Sequence, residues 1–126
     1  MPGQPQHHID TFDNRNKDRN YLIRFTCPEF SCLCPMTSQP DFATLHIKYI
    51  PDLLCVELKS LKFYLWSFRG LGIFHEDVVN TISDHLRETL SPRYLHLKGD
   101  FMVRGGIHTV VETSFGNNIP VENLNP

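Results

Sequence analysis

The segment Cys27-Pro28-Glu29-Phe30-Ser31-Cys32-Leu33-Cys34-Pro35 puts three thiols within eight positions, and Asp41 follows seven residues after the last of them. A thiolate is a strong nucleophile, and a carboxyl group close to it can give or take the proton that an addition reaction needs. The pattern therefore predicts a thiolate nucleophile with its own proton donor, on a proline-punctuated loop that carries both Cys34 and Asp41. Two plainer readings stand beside it. Free cysteine is among the most buried residue types, and an aspartate after Gln39-Pro40 is an ordinary turn or strand-start residue. A zinc site is a further rival, raised by Cys27, Cys32, Cys34 and seven histidines. Metal pairs usually come as two clusters with ligands about two to four residues apart, and no C-x-x-C or spaced histidine pair occurs, so no metal ligand is assigned.

Other groups are arranged for binding. In Glu57-Leu58-Lys59-Ser60-Leu61-Lys62-Phe63-Tyr64, Lys59 and Lys62 are three residues apart, neighbours on one helical face near its N-terminal end. With Arg104 on the Arg104-Gly105-Gly106 turn they can hold phosphates, although a solvated basic face reads the same way. There is no G-x-G-x-x-G or G-x-x-x-x-G-K-[ST], so a nucleotide would not be bound by a Rossmann or P-loop route. Glu76, beside His75 at a helix start, can accept paired N–H donors from a purine-like edge or simply complement the macrodipole. His75 can donate a proton near neutral pH or serve as a plain cap-region histidine.

These side chains need a scaffold. Tyr21 to Thr26 reads as a strand, and Phe42 to Ile50 alternates with Leu45, Ile47 and Tyr49 on one face. Pro51-Asp52 marks a turn, after which Leu54 to Glu57 extend the sheet. Leu58, Leu61, Leu65 and Phe68 recur at helical spacing until Gly70, and Val78, Val79, Ile82, Leu86 and Leu90 form the stripe of a second helix that Ser91-Pro92 stops. Two strands follow, about Tyr94 to Val103 and Ile107 to Thr113, joined by the glycine turn. The order ββααββ predicts an α+β domain, an antiparallel four-stranded sheet with two helices on one face. Its outer strands are edges that need covering or pairing, which favours a ring of subunits.

The polar, proline-rich residues 1–20 are predicted to be a flexible arm, 21–117 one catalytic domain, and 118–126 a tail. With 126 residues the chain has room for little more than one domain. Twelve Lys and Arg against fourteen Asp and Glu give a formal charge of -2, which offers no general attraction to nucleic acid or membrane. No apolar run is long enough to span a bilayer, and the first residues lack a signal-peptide pattern, so a cytoplasmic protein with reduced thiols is expected.

In order and spelling, these motifs resemble the nitrile reductases that convert 7-cyano-7-deazaguanine (preQ0) to 7-aminomethyl-7-deazaguanine (preQ1) in queuosine biosynthesis. The resemblance covers about Tyr21 to Asn117 and follows the short, single-module branch. It rests on the run from Cys27 to Ala43, on Glu57 to Tyr64, on Phe74-His75-Glu76-Asp77, and on Pro92-Arg93-Tyr94 through Arg104-Gly105-Gly106. It implies a tunnelling fold (T-fold) that assembles into a ring or barrel, with NADPH as cofactor and sites at subunit boundaries. By motif position, Cys34 would be the nucleophile that forms a thioimide, Asp41 the acid/base, Glu76 the substrate anchor and His75 its neighbour. Glu57 and Ser60 would shape the base pocket, while Lys59, Lys62 and Arg104, with Gly105 on the same turn, would meet the cofactor phosphates. Three rivals remain: an amidine-forming enzyme acting on preQ0 already in tRNA, a zinc-dependent pterin or purine cyclohydrolase, and a non-catalytic purine-binding ring protein.

Overall fold

The computed structural model describes residues 8–116. Its elements run β1 (Thr11–Asp13), β2 (Ile23–Leu33), β3 (Pro40–Ile50), β4 (Leu54–Val56), α1 (Leu58–Trp66), α2 (His75–Leu90), β5 (Tyr94–Arg104) and β6 (Ile107–Phe115). Strands β2, β3, β5 and β6 form an antiparallel sheet in the order β2-β3-β5-β6, which is the predicted ββααββ unit. Alternate residues Ala43, Leu45, Ile47 and Tyr49 of β3 and Leu95, Leu97 and Phe101 of β5 point to the buried face. There they meet Leu61, Tyr64 and Leu65 of α1 and Val78, Val79, Ile82, Leu86 and Leu90 of α2 in one core. Helix α2 lies so close over β5 that a Cβ on Gly99 would stand 2.7 Å from the Val79 Cγ2 atom, closer than carbon atoms pack. The helix ends on Ser91 in the left-handed region, whose N–H donates to the Arg87 carbonyl at 2.9 Å, and Pro92 prevents another turn.

Five expectations need correction. Residues 8–20, expected to belong to a flexible arm, are built into the fold. Strand β1 pairs with β4, Ile9 and Asn14 are buried, and the Asn14 side chain donates to the Asp52 carbonyl and accepts from the Tyr21 hydroxyl. Arg93 clamps the same segment, donating to the carbonyls of Lys17 and Arg19, the Asn20 side chain and Asp52. Polar composition reads as solvation only while each polar group faces water, and here these groups satisfy one another. Residues 1–7 of the arm, residue 117 and the tail 118–126 lie outside the described residues.

Strand β2 continues through Pro28 to Leu33 rather than ending at Thr26. It is an edge strand, and its register shifts between Cys27 and Phe30, a position where a missing N–H costs no ladder bond. The loop is correspondingly short, so Asp41 lies on β3 and not on the loop with Cys34. Leu54 to Val56 pair with β1 in a separate two-stranded sheet instead of extending the main one, while Leu58 begins α1 facing solvent. Among the described residues no helix is long and apolar enough to cross a membrane.

Candidate active site

At one end of the sheet β2 gives way to the turn 34–39, closed by Cys34 N–H to the Gln39 carbonyl and Ser38 N–H to the Cys34 carbonyl, both 2.8 Å. Ser38 takes a positive φ of 61°, which tightens the turn. Cys34 is partly exposed. The Thr37 hydroxyl and the backbone N–H groups of Met36 and Thr37 hydrogen-bond its sulfur, which lowers its pKa from the ordinary thiol value. A cradle of N–H donors favours the thiolate, the reactive form. Cys32 is the opposite case: it is fully buried, and burial, with the nearby Asp41 and Cys34 charges, pushes its pKa up to about 12. It is a protonated packing group. Burial raises Cys27 as well, so of these three thiols Cys34 alone is activated.

The Cys34 assignment predicts a pH profile. Alkylation by iodoacetamide tracks the thiolate, so a lowered pKa moves the rise in rate to lower pH than for an ordinary thiol. Thr37→Val removes one donor and is expected to move that rise upward, slowing labelling of Cys34 at pH 7. Peptide mapping by mass spectrometry measures both; identical profiles would exclude the hydroxyl as a contributor.

Asp41 stands opposite Cys32 across β2 and β3 and is only 6% exposed. It is the first inward-facing position of the alternation that continues with Ala43, Leu45, Ile47 and Tyr49. Its two oxygens are held separately. Oδ1 accepts from Arg104 Nη1 at 2.7 Å, and Oδ2 is 3.1 Å from His75 Nε2. His75 is the first residue of α2, and a short splice sets it there: Leu33 N–H bonds the Leu71 carbonyl and Ile73 N–H the Leu33 carbonyl. Its ring stacks on Phe101 with centroids 3.8 Å apart and 9° between planes. A stacked imidazole with one nitrogen on a carboxylate has little rotational freedom.

The structure thus gathers Cys34, Asp41, His75 and Arg104 at one end of the sheet, the first three as expected together. Glu76 follows His75 in the first turn of α2, exposed, its carboxylate without a hydrogen-bond partner among the described residues. Glu57 and Ser60 are placed elsewhere, as the cap of α1. The Glu57 carboxylate accepts from the N–H groups of Lys59 and Ser60, each at 2.8 Å, which lowers its pKa. The Ser60 hydroxyl donates to the Glu57 carbonyl and accepts from Asp10 N–H. Lys59 and Lys62 are exposed on α1. Gly105 and Gly106 form the two-residue β5–β6 turn, with φ values of 59° and 79° that suit glycine.

Lys62 lines a groove of about 590 Å³ between β2 and α1, with Phe30, Leu58, Leu61 and Leu65 among its apolar walls and Arg24 and Arg69 as further cations. An apolar floor with a cationic rim suits a cofactor that carries both flat rings and phosphates. Neither Cys34 nor Asp41 borders it. Around the reactive turn the surface is open and apolar, with Met36, Phe42, Phe74, Met102, Val103 and Ile107 exposed. Sequence reasoning missed three members of the site: Thr37, Gln39 and Phe101. For Phe101 a signal existed, since it is an inward position of β5 in step with Leu95, Leu97 and Gly99. Thr37 and Gln39 act through turn geometry, which has no periodic signature.

Fold and site together define a class: an α+β T-fold domain with an activated thiol beside a clamped carboxylate. QueF-like protein is the family that matches residues 40–119, and the chain belongs to it. The chain is 54% identical over 116 residues to the NADPH-dependent 7-cyano-7-deazaguanine reductase of Anaeromyxobacter sp. (strain Fw109-5), covering 92% of this chain and 95% of that protein. It is 53% identical over 115 residues to the protein of that name from Nitrosococcus oceani, covering 91% and 89%. The corresponding protein of Nitrosospira multiformis is 57% identical over 111 residues, covering 88% and 80%. Among solved structures, the archaeosine synthase QueF-Like in its apo form superimposes with a TM-score of 0.71, over 78% of this chain and 96% of that one. At 20% identity that likeness speaks for the fold alone.

Proposed function

We infer that this protein is an NADPH-dependent reductase of the nitrile of 7-cyano-7-deazaguanine, yielding 7-aminomethyl-7-deazaguanine for queuosine biosynthesis. The observation that carries the reading is the low-pKa Cys34 beside a buried Asp41 held by His75 and Arg104. A nitrile carbon is a poor hydride acceptor. Addition of the Cys34 sulfur forms a C–S bond, and the thiol proton, carried by Asp41, passes to the nitrile nitrogen to give a thioimide with a more electrophilic carbon. Bound NADPH supplies hydride, two equivalents for the four electrons between nitrile and amine. After the first reduction the nitrogen lone pair expels the sulfur: the C–S bond breaks, a C=N imine is left for the second reduction, and Cys34 leaves as thiolate, stabilised by the same N–H cradle that favoured it as nucleophile. Two protons in all reach the nitrogen of the amine: the first is the thiol's, and Asp41 passes on the second from solvent, with His75 holding its carboxylate in place.

For the substrate, the free Glu76 carboxylate is the anchor for N–H donors of the deazaguanine edge, two acceptor oxygens matching two donors. Lys59 and Lys62 are the charges for cofactor phosphates. The open, apolar surroundings of Cys34 and the uncovered edges of β2 and β6 support completion of the site by further copies of the chain. In that arrangement a second copy would bring the Glu57–Ser60 cap to the base pocket, and the enclosed interface would keep water from the imine.

Purified protein, preQ0 and NADPH test the reading directly: two equivalents of NADPH are expected to be oxidised per amine formed. Absence of NADPH oxidation by reduced protein would overturn it, and amidine formation from ammonia on preQ0-containing tRNA would select the tRNA-directed rival.

A further inference from the structure

We propose that Arg104 is a positioning residue for Asp41, not a ligand of the cofactor phosphates; the proposal rests on the reductase reading above. Arg104 precedes the Gly105-Gly106 turn, and the β5–β6 register is irregular between Phe101 and Arg104. The irregularity turns the side chain back across the end of β3. Its guanidinium there binds three acceptors from three successive residues: Nη1 donates to the Pro40 carbonyl and to Asp41 Oδ1, and Nη2 to Gln39 Oε1, each at 2.7 Å. Only a planar fork with several N–H groups can span such a set.

The contact has two consequences. The positive charge that a phosphate would seek is already paired with a carboxylate at charge-assisted hydrogen-bond distance, so a phosphate would have to displace Asp41 or share its partner. Second, Asp41 has a partner at each oxygen, Arg104 from β5 at Oδ1 and His75 from α2 at Oδ2. Fixing both oxygens fixes the carboxyl plane and so the direction in which its proton travels. The same guanidinium ties Gln39, the last residue of the turn that begins at Cys34, to β5. Arg104 therefore sets the nucleophile's turn and the acid relative to each other.

The two roles separate because thioimide formation needs preQ0 but no cofactor. Stopped-flow measurement of the preQ0-dependent thioimide absorbance, without NADPH, is the test. Arg104→Gln is expected to slow its appearance about 10- to 100-fold, the scale of a misplaced catalytic group. NADPH affinity, measured separately by fluorescence, is expected to be unchanged. Arg104→Lys, which keeps the charge but loses the fork, is expected to fall between. Wild-type rates in Arg104→Gln with weakened NADPH binding would overturn the proposal. If the glutamine variant does not fold, the lysine variant decides, since a pure phosphate ligand would leave its cofactor-free rate at the wild-type value. Failure of wild-type protein to form the thioimide would instead sink the reductase reading itself.

Discussion

Cys34→Ser is expected to abolish the preQ0-dependent thioimide absorbance and to reduce NADPH turnover by about 10⁴-fold or more, the scale of losing a covalent nucleophile. Serine fills nearly the same space and can accept the same Met36 and Thr37 donors, so the turn 34–39 should survive. Its hydroxyl, however, cannot ionise near neutral pH, and the N–H cradle that suffices to favour a thiolate is far too weak to generate an alkoxide. The loss therefore falls on bond formation and not on folding. Substrate affinity, measured by calorimetry with preQ0, is expected to drop only by the contribution of the covalent bond. A serine variant that retained substantial turnover would show that sulfur is dispensable, and no other described thiol is placed to replace it: Cys32 is fully buried with its pKa pushed up to about 12.

Asp41→Asn is expected to reduce kcat by about 10²- to 10⁴-fold, the usual contribution of a positioned acid/base. Asparagine keeps the shape and still offers an oxygen to Arg104 Nη1. It places an amide against His75 Nε2, and it carries no transferable proton. The variant separates geometry from proton transfer: Cys34 should still be alkylated readily, because its donors Met36 and Thr37 are untouched and a neighbouring negative charge that raises its pKa is gone. Removing the Asp41 charge is expected to shift Cys34 alkylation toward lower pH, even as turnover collapses. Turnover and alkylation falling together would mean that Asp41 only organises the nucleophile and is not the proton carrier.

Much of this scaffold was legible from residue patterns. The α2 stripe from Val78 to Leu90, its stop at Ser91-Pro92 and the β5–β6 glycine turn each follow from local periodicity or from the positive φ that glycine tolerates. The β3 alternation is plain in the sequence from Leu45 onward, although it begins at Asp41. Extending it back by two inward positions would have placed a carboxylate on the buried face, a stronger sign of chemistry than its position on a loop. Segment 8–20 has no local signature of order because its partners are distant in sequence, above all Arg93. Pro28 masked the length of β2 because edge position is a property of the sheet, invisible in the strand itself.

Spacing and residue type were enough to single out Cys34, Asp41 and His75 and to indicate an α+β domain, since nucleophile chemistry and helical or strand periods are properties of the chain at short range. Three things depended on folding. Asp41 acquired a partner at each oxygen, Phe101 became the floor under His75, and Arg104 came to lie 2.7 Å from the Asp41 carboxylate. Each joins residues between 26 and 63 positions apart. Such contacts are chosen by sheet register and by the close seat of α2 on β5, and no local pattern encodes either.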